Sequence, residues 1–110
     1  MTMQVVIQVS GQPDVIIGVS DAAIHRARAS FNPSALPGVD NVKALAAALY
    51  TELDKIPDLV EDKLQEAVGQ GSAIPGRPLE FARREAATAA THIQAGAMFA
   101  VSAATAHLVK

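Results

Sequence analysis

The stretch ATHIQAGAMFAVSAATAH, residues 90–107, is small-sided almost all the way round, a run of alanines broken chiefly by His92, Gln94, Met98, Phe99 and His107. It lies inside a longer segment that opens with Pro78, suited to the first helical position, and Glu80 in the first turn, and that meets no further proline before Lys110. These signals predict a helix over residues 77–110, about 51 Å long at 1.5 Å per residue. A compact chain of this size has a radius of gyration near about 13 Å, so such a helix outgrows a compact monomer. Alanines let helix axes approach towards the close end of the usual range. Neighbours are therefore expected on several sides of the helix, from the chain's own first helix and from a second copy. Gly96, in mid-helix, is expected where another backbone or a ligand comes near.

Upstream, Leu45, Leu49, Leu53 and Ile56 recur at helical spacing, with Glu52 and Asp54 among them. Asp40 and Asn41 are good N-caps, which predicts a first helix over residues 40–69, kinked or broken near Pro57, where Asp58 can cap a renewed turn. The stretch GQGSAIPGRP then reads as a loop. At the start of the chain, QVVIQVSGQPDVIIGVS reads as a β-hairpin, with Gln4–Ser10 and Val15–Ser20 flanking a turn built on Gly11 and Pro13. DAAIHRARASF, with His25, Arg26 and Arg28 among alanines, suits a helix and a strand equally. The expected fold is α+β and a single domain: a β-hairpin or small antiparallel sheet with its lead-in over residues 1–32, then a long antiparallel α-helical hairpin, oligomeric.

Composition narrows the chemistry. The 110 residues contain no cysteine and three histidines, which excludes thiolate sites and gives no ligand set at zinc spacing; neither metal nor cofactor is expected. A net charge of −2 without a basic run argues against a polymeric nucleic-acid partner. No segment has the roughly 20 apolar residues of a membrane span, and Met1–Ser10 lacks the pattern of a signal peptide, so a soluble cytoplasmic protein is expected.

No catalytic constellation stands out. The serines lie in no nucleophile-elbow context, and phosphate-loop and dinucleotide glycine patterns are absent. Asp58, Glu61, Asp62 and Glu66 read as a solvated helix face rather than an acid/base cluster. Arg77, Arg83 and Arg84 crowd the start of the last helix, where free N–H groups and the dipole already attract anions, and planar guanidinium groups suit phosphate. They serve equally well as partners for Glu80, Glu85 or carboxylates of the first helix. Thr91 and His92 put polar groups into the alanine surface, to be satisfied by a neighbour or a ligand. Met98 and Phe99 are expected in the core. Phe31 and Asn32 place an aromatic beside an amide in a rigid loop, which can hold a planar base or serve packing and capping.

FNPSALPGVDNVKALAAAL (residues 31–49) and THIQAGAMFAVSAAT (residues 91–105) resemble the two motif regions of the first family of phage Thoeris anti-defence proteins, whose helical hairpin is shared with phage anti-CBASS nucleotide sponges. The resemblance covers roughly residues 31–105, and the β-hairpin agrees with that family's small N-terminal sheet. It implies a protein that is not an enzyme. Such a protein acts in the cytoplasm of the infected bacterial host, assembles as a homodimer or hexamer, and sequesters immune signalling nucleotides, namely cyclic ADP-ribose isomers and in some members cyclic di- or trinucleotides, without cleaving them. Phe31, Asn32, Lys43, Thr91 and His92 match the family pattern as ligand-binding positions, and Arg77, Arg83 and Arg84 join them on chemical grounds. Ser102 stands where a basic residue is expected in relatives. Two alternatives remain open: an alanine-rich assembly protein with no small-molecule ligand, and a hydrolase using the arginines and His92 as base.

Overall fold

A computed structural model describes residues 3–69 and 77–108. It shows an α+β fold in the order β1 (Met3–Ile7), β2 (Val15–Val19), α1 (Asp21–Ala27), α2 (Pro37–Gly69), α3 (Arg77–Ala104) and a short 3₁₀ turn, Ala106–Leu108. The loop read at GQGSAIPGRP falls mostly on residues 70–76 and lies outside the described residues.

The two strands pair antiparallel, with Val5 opposite Ile17 and Val6 opposite Ile16. Alternation along a strand sends Met3, Val5, Ile17 and Val19 to one face, which packs on the core, while Gln4, Val6, Ile16 and Gly18 take the other. Gly11 carries the turn at φ 77°, a conformation that costs glycine nothing. β1 ends at Ile7, three residues before the expected Ser10, because the turn begins there and closes with Gln12 N–H donating to the Val9 carbonyl at 3.0 Å.

The ambiguous stretch after the hairpin is a helix. Ser20 caps α1, its Oγ accepting from Ala23 N–H at 3.2 Å, and Asp21 adds negative charge at the N-terminus. The same Ser20 offers its own N–H to Thr51 Oγ1 at 3.2 Å, while Thr51 donates to the Ala47 carbonyl at 2.9 Å. Thr51 is buried, so one hydroxyl pins the end of the sheet and the start of α1 onto α2.

α2 starts at Pro37 rather than at residue 40. The Leu36 carbonyl accepts from Val39 and Asp40 N–H at 3.1 and 3.4 Å, and a proline at the first helical position gives up only an N–H that would have had no helical partner. Asp40 therefore sits in the first turn instead of capping. Of the two alternatives at Pro57, kinked or broken, the break does not occur: α2 runs through that residue to Gly69. A proline in a helix interior costs about 3 kcal/mol, and packing along the helix offsets it. Ala46, Tyr50, Leu53, Pro57, Val60, Leu64 and Ala67 are buried or half-buried, separated alternately by four and three, the spacing of one face turned to a partner helix. The facing row on α3 is Ala82, Ala86, Ala89, Ile93, Ala97, Ala100 and Ala104, all half-buried.

α3 is shorter than the expected 77–110, ending at Ala104. Thr105 N–H still donates to the Val101 carbonyl at 3.0 Å and its Oγ1 adds bonds to the Val101 and Ser102 carbonyls at 2.9 and 3.3 Å, after which the chain tightens into the 3₁₀ turn, with Leu108 N–H donating to the Thr105 carbonyl at 2.9 Å. The molecule is elongated, 64 × 31 × 27 Å with a radius of gyration of 17.5 Å. The core is at the end where sheet, α1, α2 and α3 meet: Val19, Ala23, Ile24, Ala46, Ala47, Ala48, Tyr50 and Ala90. Within one chain, α3 is not surrounded as its composition suggests. Ala90 is its one buried residue among those described, Met98 and Phe99 are 67% and 77% exposed rather than in the core, and a Cβ added at Gly96 would meet nothing within 4 Å.

Replacing Thr51 with valine keeps shape but strands the Ser20 N–H, so urea denaturation should show a loss of about 1–2 kcal/mol. Gly96→Ala should act oppositely, adding up to about 1 kcal/mol at protein concentrations that hold the chain monomeric.

Candidate functional site

A groove of about 720 Å³ opens where α1 ends beside α2 and α3. Its floor and walls come from three elements. α1 and the residue that closes it supply His25, Arg26, Ala27 and Arg28; α2 supplies Lys43, Ala46 and Tyr50; α3 supplies Gln94, Ala97, Met98, Val101 and Ser102. The α3 residues recur at i, i+3, i+4, i+7 and i+8, which is one helix face. The small side chains Ala27, Ala46 and Ala97 leave the volume open between the helices.

Three of the chain's nine lysines and arginines line this groove, and among the described residues no carboxylate does. The chain as a whole is slightly acidic, so positive charge is gathered here against the average. Rings hold the cations in place. The Arg26 guanidinium lies 4.6 Å from the centroid of Tyr50, and Arg28 and Lys43 lie 5.6 and 5.3 Å from that of Phe31, all within cation–π range. Lys43 also donates from Nζ to the Phe31 carbonyl. Tyr50 is 2% exposed, and among the described residues no protein group hydrogen-bonds its hydroxyl. Among the described residues no buried side-chain polar atom lacks a partner, so this hydroxyl opens at the wall of the groove instead of being sealed in the core.

The eight residues expected at a site are dispersed. Lys43 lines the groove, and Phe31, 55% exposed, stands beside it under two cations. Asn32 is committed to its own loop: Nδ2 donates to the Leu36 carbonyl at 2.9 Å and Oδ1 accepts from Ser34 Oγ at 2.6 Å. That network, with Pro33 and Pro37, fixes the loop that carries Phe31, which is the capping and packing role. Arg83 and Arg84 are exposed on α3, ten or so residues and hence about 15 Å along the axis from Gln94. Neither has an ion-pair partner among the described residues, where the pairs are Lys55–Glu52 and Lys63–Glu66. Thr91 and His92 are exposed as well, outside the groove, and Thr91 Oγ1 donates to the Ala87 carbonyl at 3.2 Å. Arg77 begins α3, but its side chain lies outside what is described. Asp58, Glu61, Asp62 and Glu66 are exposed along α2.

Sequence reasoning missed Arg26, Arg28, Tyr50, Gln94 and Met98 as site residues. One signal was present: HRAR packs two arginines into four residues of a chain with only nine lysines and arginines. Tyr50, the one tyrosine, offered another. Ser102, the position where a basic residue is expected in relatives of the resembled family, lies in this groove.

No family model matches the chain, and no curated protein and no solved structure matches it either.

Because the Tyr50 hydroxyl has no hydrogen-bond partner among the described residues, Tyr50→Phe should leave the urea midpoint within about 0.5 kcal/mol of the parent. Any effect on ligand affinity then reads the hydroxyl directly.

Proposed function

We propose that the chain is a phage anti-defence protein that binds and sequesters host immune signalling nucleotides, cyclic ADP-ribose isomers first and cyclic di- or trinucleotides second, without cleaving them. In this reading it works in the cytoplasm of the infected bacterial cell as a homodimer or hexamer, lowering free signal so that the host effector stays inactive. The observation that carries it is the groove: three cations without a carboxylate, two of them over an exposed aromatic ring, around a volume of about 720 Å³. Small-molecule sites span roughly 300–1,000 Å³, and nucleotides combine the two things such a site offers, charge for phosphate and a ring face for a base. The motif resemblance at residues 31–49 and 91–105 supports the same ligand class.

A pure assembly protein accounts for the exposed Phe81, Met98 and Phe99 on α3 and Leu45, Leu49 and Leu59 on α2, which are apolar surfaces suited to another copy. It gives no reason for uncompensated arginines at the opposite flank of Tyr50 and Phe31. Hydrolysis would need a base in the groove; His92 lies outside it, which leaves His25 as the one histidine there.

Native mass spectrometry of the purified protein with a panel of cyclic ADP-ribose isomers and cyclic di- and trinucleotides reads subunit number and bound mass together. The expected result is an even oligomer retaining ligand that is recovered chemically intact after heat denaturation. Retention of none of the panel would overturn the reading in favour of assembly, and release of a cleaved product would replace it with hydrolysis.

A further inference from the structure

We infer that Arg28 is the anchor of the groove for an oligophosphate, held there by a backbone conformation that is worse for the fold than a glycine would be. This rests on the groove described above as the ligand site. α1 closes with a paired reversal: Arg28 N–H donates to the His25 carbonyl at 3.1 Å and Ala29 N–H to the Ile24 carbonyl at 3.0 Å. That pattern requires a left-handed residue at the reversing position, and Arg28 has φ 53° and ψ 39°. Glycine is the usual occupant because any Cβ there crowds the following carbonyl.

The chain does use glycine where only the backbone matters, at Gly11 in the hairpin turn. Ala35, the other non-glycine residue with positive φ, shows that strain alone does not mark a site. Arg28 differs in where its side chain goes. The left-handed turn reverses the chain at the groove, so that the guanidinium, like the Lys43 ammonium, lies over Phe31 while Arg26, two residues earlier, lies over Tyr50. Glycine would relieve the backbone and remove one third of the groove's positive charge. Backbone strain that persists beside clustered like charges is the signature of a conformation kept for binding.

The ligand class follows from the count and kind of donors. Two guanidinium groups present planar pairs of N–H donors suited to phosphate oxygens, one ammonium adds a point charge, and the Tyr50 hydroxyl, without a partner among the described residues, can donate. Three cations with no carboxylate call for a ligand carrying two or more negative charges. An arginine held this way is also preordered, so less side-chain freedom is lost on binding.

The test compares the parent chain with Arg28→Gly, Arg28→Lys and Ala35→Gly, measuring urea midpoints and titrating each with inorganic tripolyphosphate by calorimetry. Arg28→Gly should unfold at an equal or higher midpoint and bind tripolyphosphate at least tenfold more weakly. Arg28→Lys, with the same backbone demand and a point charge, should fall between. Ala35→Gly should gain stability with affinity unchanged, separating relief of strain from loss of the guanidinium. Unaltered affinity in Arg28→Gly, or no binding of tripolyphosphate by the parent, would overturn the inference. Should the parent bind tripolyphosphate through Arg28 yet retain none of the signalling nucleotides, the anchor stands and the sequestration reading falls.

Discussion

Everything in this structure is arranged around one short run, Ala46–Ala48 on α2, whose three side chains are 0–7% exposed. A helix normally buries a stripe, yet consecutive residues point about 100° apart, so burial of three in a row followed by Tyr50 and Thr51 means that this turn of α2 is enclosed from nearly every direction. The sheet, α1 and α3 all reach it, and they can do so only because methyl groups keep the backbones close. Larger side chains at these positions would push at least one element away, and α1 is the one with least to hold it: seven residues, tied by the Ser20–Thr51 hydrogen bond and by Ala23 and Ile24. The position of α1 in turn fixes where Arg26 and Arg28 stand relative to Lys43. The alanine turn thus acts on the groove at one remove, by deciding how near the cations come to one another.

The groove and the core share Tyr50. Its ring belongs to the core cluster and its face carries the Arg26 guanidinium, which makes the ring both a packing element and a support for charge. Phe31 plays the second role without the first, standing mostly exposed on a loop stiffened by Pro33, Pro37 and the Asn32–Ser34–Leu36 hydrogen bonds. The result is one buried aromatic under Arg26 and one exposed aromatic under both Arg28 and Lys43. Arg26 thus rests on a support of its own, while Arg28 and Lys43 share one ring whose face attracts both cations.

How much of this could be read beforehand follows from the range of the interactions involved. The hairpin and the two long helices show in the sequence because each is written by local periodicity and turn chemistry. The end points were less legible. Pro37 serves as a first helical residue in place of the more conspicuous Asp40, and α3 ends at Ala104 where no glycine or proline marks a stop. At Pro57 a break is avoided because its local cost is outweighed by packing along the face turned to α3, a tertiary effect invisible in a window of ten residues. α1 is too short for a periodic pattern to separate helix from strand, and its decisive signal was the cap pair Ser20–Asp21 rather than its apolar spacing. The groove was least legible of all, since its cations come from elements 15 or more residues apart and are gathered by the packing of α1 on α2 alone. Reasoning from the start of α3 selected Arg83 and Arg84 for a sound electrostatic reason, but on the half of the helix away from the enclosed end.

The alanine-rich α3 poses a question that one chain does not answer. Towards α2 its small residues have an evident use, since they let the two helices lie close along most of their length. Its opposite side is small as well, and Phe81 and Phe99, 59% and 77% exposed, stand 18 residues apart, five turns and therefore the same face. Thr88, His92 and Ala95 lie between them on that face. Two such faces laid antiparallel would bring Phe81 of each copy towards Phe99 of the other across a row of small residues, which is a self-complementary pattern of the kind a two-fold axis requires. In the proposed sequestering assembly this gives the small-sided helix a neighbour on its second side. It also leaves most of the groove free: of the α3 residues that line it, Gln94, Ala97, Met98 and Val101 stand about 100° or more round the helix from the line through Phe81 and Phe99, while Ser102, about 60° away, borders it.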